Sequence, residues 1–273
     1  ARVGRVVIAV SVSMFDRSGS QAPKPPRAFP EGTGPHIRLG LVWVATTMVA
    51  VLAGPVPLAL ILAPVAAVAA AQAARSWRHH RRQVAWRVSG GGAGLVVIAS
   101  ALGVAGVVAT VLVIEVLVAL ALVLSERPRH QRRTAPLLTG LIAIGVGLAG
   151  ASPVLLRRDG LIPALVLLSF VHVYDASVYV VGAGATAVWE GRAAGVASIA
   201  AVTLAVAAVL SPPFRGASPW LFGLLAAALT PLGPVAAEEL LGNKKARVPA
   251  LRRLDSLLLV GPVWALAAAL ALD

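Results

Sequence analysis

The run LGLVWVATTMVAVLAGPVPLALILAPVAAVAAAQAA, residues 39–74, holds no charged side chain. A helix needs about 20 apolar residues to cross the hydrocarbon core of a bilayer, so this run is too long for one crossing. Gly54-Pro55-Val56-Pro57 interrupts it, where proline removes a backbone donor and glycine permits a turn. Two helices are expected, over residues 39–53 and 57–74.

The same pattern extends outward. Residues 94–124 are apolar enough for two more crossings, with a weak break near residues 106–110. Residues 135–156, 161–181, 193–210, 219–234 and 257–272 each supply a further span, of which 219–234 is short with proline near both ends. The chain is 58% hydrophobic with a mean hydropathy of +0.86, well outside the soluble globular norm. The expected fold is all-α: a polytopic integral membrane protein with about nine transmembrane helices. Residues 1–38 are expected to be a polar, disordered cytoplasmic arm, 39–158 the N-terminal transmembrane helices and 159–273 a C-terminal transmembrane domain. Within the arm, the apolar piece at residues 6–12 is too short to span and lacks the pattern of a signal peptide.

Charge sets the expected orientation. With nine crossings, 21 of the 24 lysines and arginines fall on one side, leaving Arg157, Arg158 and Arg215 on the other. Basic loops stay in the cytoplasm, which places the N-terminus there and the protein in the cytoplasmic (inner) membrane. The net charge of +13 then reads as basic loops facing anionic lipid headgroups. Nucleic acid is not an expected partner, because no basic surface is interleaved with aromatic side chains. The absence of cysteine from these residues excludes disulfides, thiolate nucleophiles and Cys-ligated metals. His79, His80 and His130 lie in basic loops without metal-ligand spacing, and Gly90-Gly91-Gly92 follows no strand and so makes no phosphate loop. Glu115 sits inside an apolar run, where an acid paired across the bundle or held neutral is expected.

Chemistry concentrates near the C-terminus, in GPVAAEELLGNKKARVPALRRLDSLLLV, residues 233–260. Only eleven Asp and Glu occur in the chain, and three of them, Glu238, Glu239 and Asp255, fall here beside Lys244, Lys245, Arg247, Arg252 and Arg253. Asp175 lies near the end of the sixth apolar segment, and Glu190 follows in Trp189-Glu190-Gly191. Mg²⁺ asks for one or two carboxylates plus substrate oxygens. Asp255 with Glu238 or Glu239 supplies such a pair, and Asp175 a third ligand. The lysines and arginines suit phosphates, arginine in bidentate fashion.

The segment YDASVYVVG (residues 174–182), the Trp189-Glu190-Gly191 turn and Arg253-Leu254-Asp255-Ser256-Leu257 together resemble the phosphatidate cytidylyltransferase (CDP-diacylglycerol synthase) family, over roughly residues 39–272. The resemblance implies transfer of CMP from CTP to phosphatidic acid with Mg²⁺, giving CDP-diacylglycerol and pyrophosphate. Taken with the chemistry of these residues, the candidate site has Asp255, Asp175 and Glu190 as catalytic residues, Asp255, Glu238 and Glu239 as metal ligands, and Lys244, Lys245, Arg247, Arg252, Arg253 and Ser256 as substrate-binding residues. The chain departs from the family where Pro234 and Arg252 stand at positions of expected acids, and no lysine precedes Trp189. A CTP-dependent polyprenol- or phytol-type lipid kinase, and a catalytically degenerate homologue acting as a membrane scaffold, remain as alternatives; a homodimer is compatible with all three. Plainer roles also stand: residues 244–253 as an orienting basic loop, Asp175 as a bundle pair, Glu190 as a turn-former, His172 as a satisfied packing residue.

Overall fold

A computed structural model describes residues 34–77, 84–124, 129–185, 187–243 and 246–272. Among them lie ten α-helices and no strand: α1 (Gly34–Ala53), α2 (Pro55–Ser76), α3 (Trp86–Ser100), α4 (Val104–Leu124), α5 (Arg129–Asp159), α6 (Leu161–Gly182), α7 (Val188–Val209), α8 (Ser218–Leu229), α9 (Gly233–Glu239) and α10 (Leu257–Ala271). Six stretches are long and apolar enough to cross a membrane: α2, α4, α5 from Thr134, α6, α7, and α8 continued through α9. The protein is thus a helical membrane protein by length and composition. α1 from Arg38 and α10 are apolar but shorter, and α3 has 15 residues.

The break between α1 and α2 falls where the sequence places it. Gly54 has φ 131°, a conformation that side chains with a Cβ rarely adopt, and Pro55 opens α2. The next break differs from expectation. It falls at residues 101–103, with Gly103 at φ 100°, and residues 106–110 are helical. Gly106 stays inside α4 because its missing Cβ lets that helix lie against the Ala99 carbonyl, 2.5 Å from where a Cβ would sit.

α3 also begins earlier than expected, at Trp86, and takes in the glycine run. A Cβ on Gly90 would lie 2.8 Å from the Ala67 carbonyl oxygen of α2, and one on Gly92 would lie 3.2 Å from Ala143 of α5. Gly147 and Gly150 of α5 meet Val96 and Val97 of α3 in the same way. Small residues that let helix backbones approach are the usual glue of membrane bundles, so these glycines are packing surface. α2, α3 and α5 form the centre. α10 packs on α5 and α8, α6 pairs with α7, and α1 lies across α2 and α6. The main core cluster draws on residues from Ala50 to Ala268, so the two expected halves share one interior.

Pro231 and Pro234 interrupt the next apolar segment with a single 3₁₀ turn, Thr230–Leu232, before α9 carries it on to Glu239. Glu238 and Glu239 therefore end a helix rather than lying in a loop. Glu115 departs furthest from expectation: it is exposed on the outer flank of α4, which packs mainly on α3 and α5.

Candidate functional site

Successive helices bring the start of α1, the end of α6, the end of α9 and the start of α10 to one end of the bundle. The link between α9 and α10 is strapped to the end of α2. Trp77 Nε1 donates to the Leu240 carbonyl (2.9 Å), the Gly242 N–H to Ser76 Oγ (2.9 Å), and the Ala250 N–H to Gln72 Oε1 (3.2 Å). Gly242 lies so close on Trp77 that a Cβ would come within 2.7 Å of its ring. A short 3₁₀ turn, Leu251–Arg253, then leads to Leu254, Asp255 and Ser256 at the start of α10.

Ser256 joins two carboxylates. Its N–H donates to Asp255 Oδ1 (2.8 Å), and its hydroxyl donates to Asp175 Oδ1 on α6 (2.6 Å). Ser256 is 2% exposed, whereas Asp175 opens toward a cavity of about 450 Å³ between α1, α6 and the 3₁₀ turn. Leu41, Trp43, Val44, Tyr179 and Val180 wall this cavity, and His172, Asp175, Arg252 and Arg253 are its ionisable members. Arg253 reaches across to α1, its Nη1 3.9 Å from where a Cβ on Gly40 would sit. Behind the acids, Gly233 lies against the Asp255 carbonyl and Ser256 Cα, a contact that leaves no room for a Cβ.

Asp255 lies outside the apolar helices. Burial pushes its carboxyl up to about 6, against the opposing pull of the Ser256 N–H and of the Arg252 and Arg253 guanidiniums.

The structure thus gathers Asp175, Asp255, Ser256, Arg252 and Arg253 from the residues singled out in the sequence. Others have different places. Glu190 Oε1 accepts the Ala187 N–H (3.1 Å) and so caps α7. Gly191 beside it lets α7 approach the Val178 carbonyl of α6 (3.0 Å from an added Cβ), and Trp189 is 68% exposed. Glu238 and Glu239 are exposed on the last turn of α9, and Arg247 is exposed on the strap. Lys244 and Lys245 lie outside the described residues. Among the described residues no three His, Asp or Glu side chains converge on a common point, so the expected set of Asp255, a glutamate of α9 and Asp175 does not form.

His172 is satisfied. Nδ1 donates to the Leu168 carbonyl (2.6 Å), which leaves Nε2 to pair with Thr47 Oγ1 (3.2 Å) and tie α6 to α1. The sequence offered little sign that α1 would form a wall of the site, or that Ser256 would hold both acids. Gln72, the lone amide of α2, was the most readable sign of the strap.

No family model, no curated protein and no solved structure matches the chain. Fold and site define a class only: an all-helical protein with membrane-length helices and an acid–arginine cluster at one end of its bundle.

Proposed function

We propose that the chain crosses the cytoplasmic membrane nine times with its N-terminus inside, and that the cluster at Ser256 transfers CMP from CTP to phosphatidic acid. The nine crossings are α1 to α7, α8 with α9, and α10. With nine crossings counted along the sequence, 21 of the 24 lysines and arginines fall on the side of Arg252 and Arg253, as the positive-inside rule asks. The observation that carries the reading is Ser256 holding Asp175 and Asp255 together, beside Arg252 and Arg253, at an apolar-walled cavity. Apolar walls with cations and paired acids at one end suit an amphipathic phosphate ester.

In this reaction an oxygen of the phosphatidate phosphate attacks the α-phosphorus of CTP, the bond between the α and β phosphates breaks, and pyrophosphate leaves. Arg252 and Arg253 hold phosphate oxygens and offset their charge. Asp175 and Asp255 fit the demand of Mg²⁺ for one or two carboxylates and are the residues that would hold it. When bound, that ion neutralises charge on the phosphates. Ser256 is a positioning residue that keeps both carboxylates turned to one place. Pro234, where the resembled family carries an acid, opens α9 next to Gly233, so that acid has no replacement in the same turn.

The test is product release by the purified full chain in mixed micelles with CTP, Mg²⁺ and phosphatidic acid, beside Asp255→Asn. Pyrophosphate release lost in the variant is the expected result. Release of CDP with a polyprenol or phytol acceptor would make the protein a lipid kinase. A folded protein that releases neither product would overturn both enzyme readings in favour of a non-catalytic membrane homologue.

A further inference from the structure

The outer flank of α4 carries a feature that the site at Ser256 does not use. The Val104–Ala121 window of α4 has a mean hydropathy of 2.7, and 11% of it is buried within the chain, against 67% for the Thr134–Asp159 window of α5. An apolar face toward lipid needs no partner, but Glu115 does. It lies in the middle of this 21-residue helix, about 15 Å from either end at a rise of 1.5 Å per residue. It is exposed and makes no hydrogen bond or ion pair among the described residues. Ionisable groups at the bilayer centre are costly and almost always face a protein interior. Glu115 faces away from the described bundle, so that interior comes from outside the described residues.

We propose that the Glu115 flank of α4 is a homodimer interface, in which two copies pack α4 against α4 about a two-fold axis passing beside Glu115. An isologous contact near its axis sets a residue against its own copy. Two carboxyl groups are complementary to each other, one O–H donating to an oxygen of the other. A second copy therefore supplies both donor and acceptor from a single residue type. The described arginines sit at the helix ends, and His172, midway along α6, is already held by Leu168 and by Thr47 of α1. Val108, Leu112 and Ala119 lie at i−7, i−3 and i+4 from Glu115, share its stripe and are exposed. Ala119 lets the two backbones approach. This interface is independent of the nucleotide chemistry, and either can fail without the other.

The sequence holds no cysteine, so single-cysteine variants report contacts without ambiguity. Leu112→Cys and Ala119→Cys, in the full chain in proteoliposomes, should form disulfide-linked dimers on oxidation. Leu117→Cys, on the opposite side of the helix and 51% exposed, should not. In bilayers at low density, single-molecule photobleaching should find dimers for the wild type and for Glu115→Gln, whose amide both donates and accepts. Glu115→Leu should weaken association at least tenfold, and it replaces a polar side chain by an apolar one on a lipid-facing helix, so folding is not at risk. Equal cross-linking at Leu117, no cross-linking at Leu112 and Ala119, or an undiminished dimer in Glu115→Leu would each overturn the proposal. Cross-linking of Leu112→Cys in native membranes to a different protein would overturn it as well, by naming another occupant.

Discussion

Alanine at Gly233 tests the packing that holds the two acids in place. A Cβ there would lie 2.2 Å from the Asp255 carbonyl oxygen and 2.9 Å from Ser256 Cα, both backbone atoms that no rotamer change can move. Ordinary contact begins near 3.4 Å, so α9 and the Asp255 turn must part by about 1.2 Å. Movement of that size would take the 2.6 Å hydrogen bond from Ser256 to Asp175 out of range. Overpacking together with a lost hydrogen bond to a charged group should cost about 2–4 kcal/mol. Gly91→Ala is the control: nothing lies within 4 Å of its added Cβ, and it sits inside α3. There alanine should stabilise by up to about 1 kcal/mol through helix propensity alone. Thermal unfolding of both variants in the same detergent measures the contrast, which is opposite in sign. A Gly233→Ala protein that melts with the wild type would refute the close approach and the placement of Asp255 that depends on it.

Three further outcomes follow from individual contacts. Burial raises the Asp255 carboxyl from 3.8 to about 6, so the folded chain binds that proton more tightly than the unfolded chain and loses stability as pH rises from about 4 to 6; Asp255→Asn should flatten that part of the stability–pH profile, and turnover that needs the ionised carboxylate should rise through about 6. Glu190→Ala removes the cap on α7 and should cost about 1 kcal/mol, with Glu190→Gln restoring most of it and the affinity for CTP unchanged in both, read by titration calorimetry. Thr47→Val removes the hydroxyl that pairs with His172 and should cost about 0.6 kcal/mol, the usual size of a polar contact between membrane helices; a loss above 2 kcal/mol would show that the tether does more than join α1 to α6.

The helices were legible because lipid leaves the backbone no choice: a long apolar run must satisfy its own hydrogen bonds, and helix is the way to do so within one segment. Their ends were less legible. Glycine reads as a breaker in water, yet Gly90, Gly92 and Gly106 lie inside helices because a missing Cβ is what a close helix–helix contact requires. The same ambiguity covers Trp189-Glu190-Gly191. The sequence suggests chemistry there, while the structure uses Glu190 as a cap and Gly191 as a point of approach between α6 and α7. A motif of this kind has a packing explanation that no spacing rule separates from a catalytic one.

The acid pair shows where sequence reasoning stops. Asp175 and Ser256 are 81 residues apart, and their hydrogen bond exists because α6 and α10 reach the same end of the bundle while Gly233 lets α9 press on the turn between them. Charge and the family resemblance drew attention to Glu238 and Glu239, which stand closest to Asp255 along the chain among the acids. Helical continuation through the Thr230–Leu232 turn carries them to an exposed end, and the partner of Asp255 comes from a different helix. Local sequence gives the stock of chemical groups; the packing of small residues decides which of them meet. The site at Ser256 is therefore a product of the bundle's tightest backbone contacts, and a methyl group at Gly233 should disturb it through the backbone of Asp255 and Ser256, with every charged side chain left unchanged.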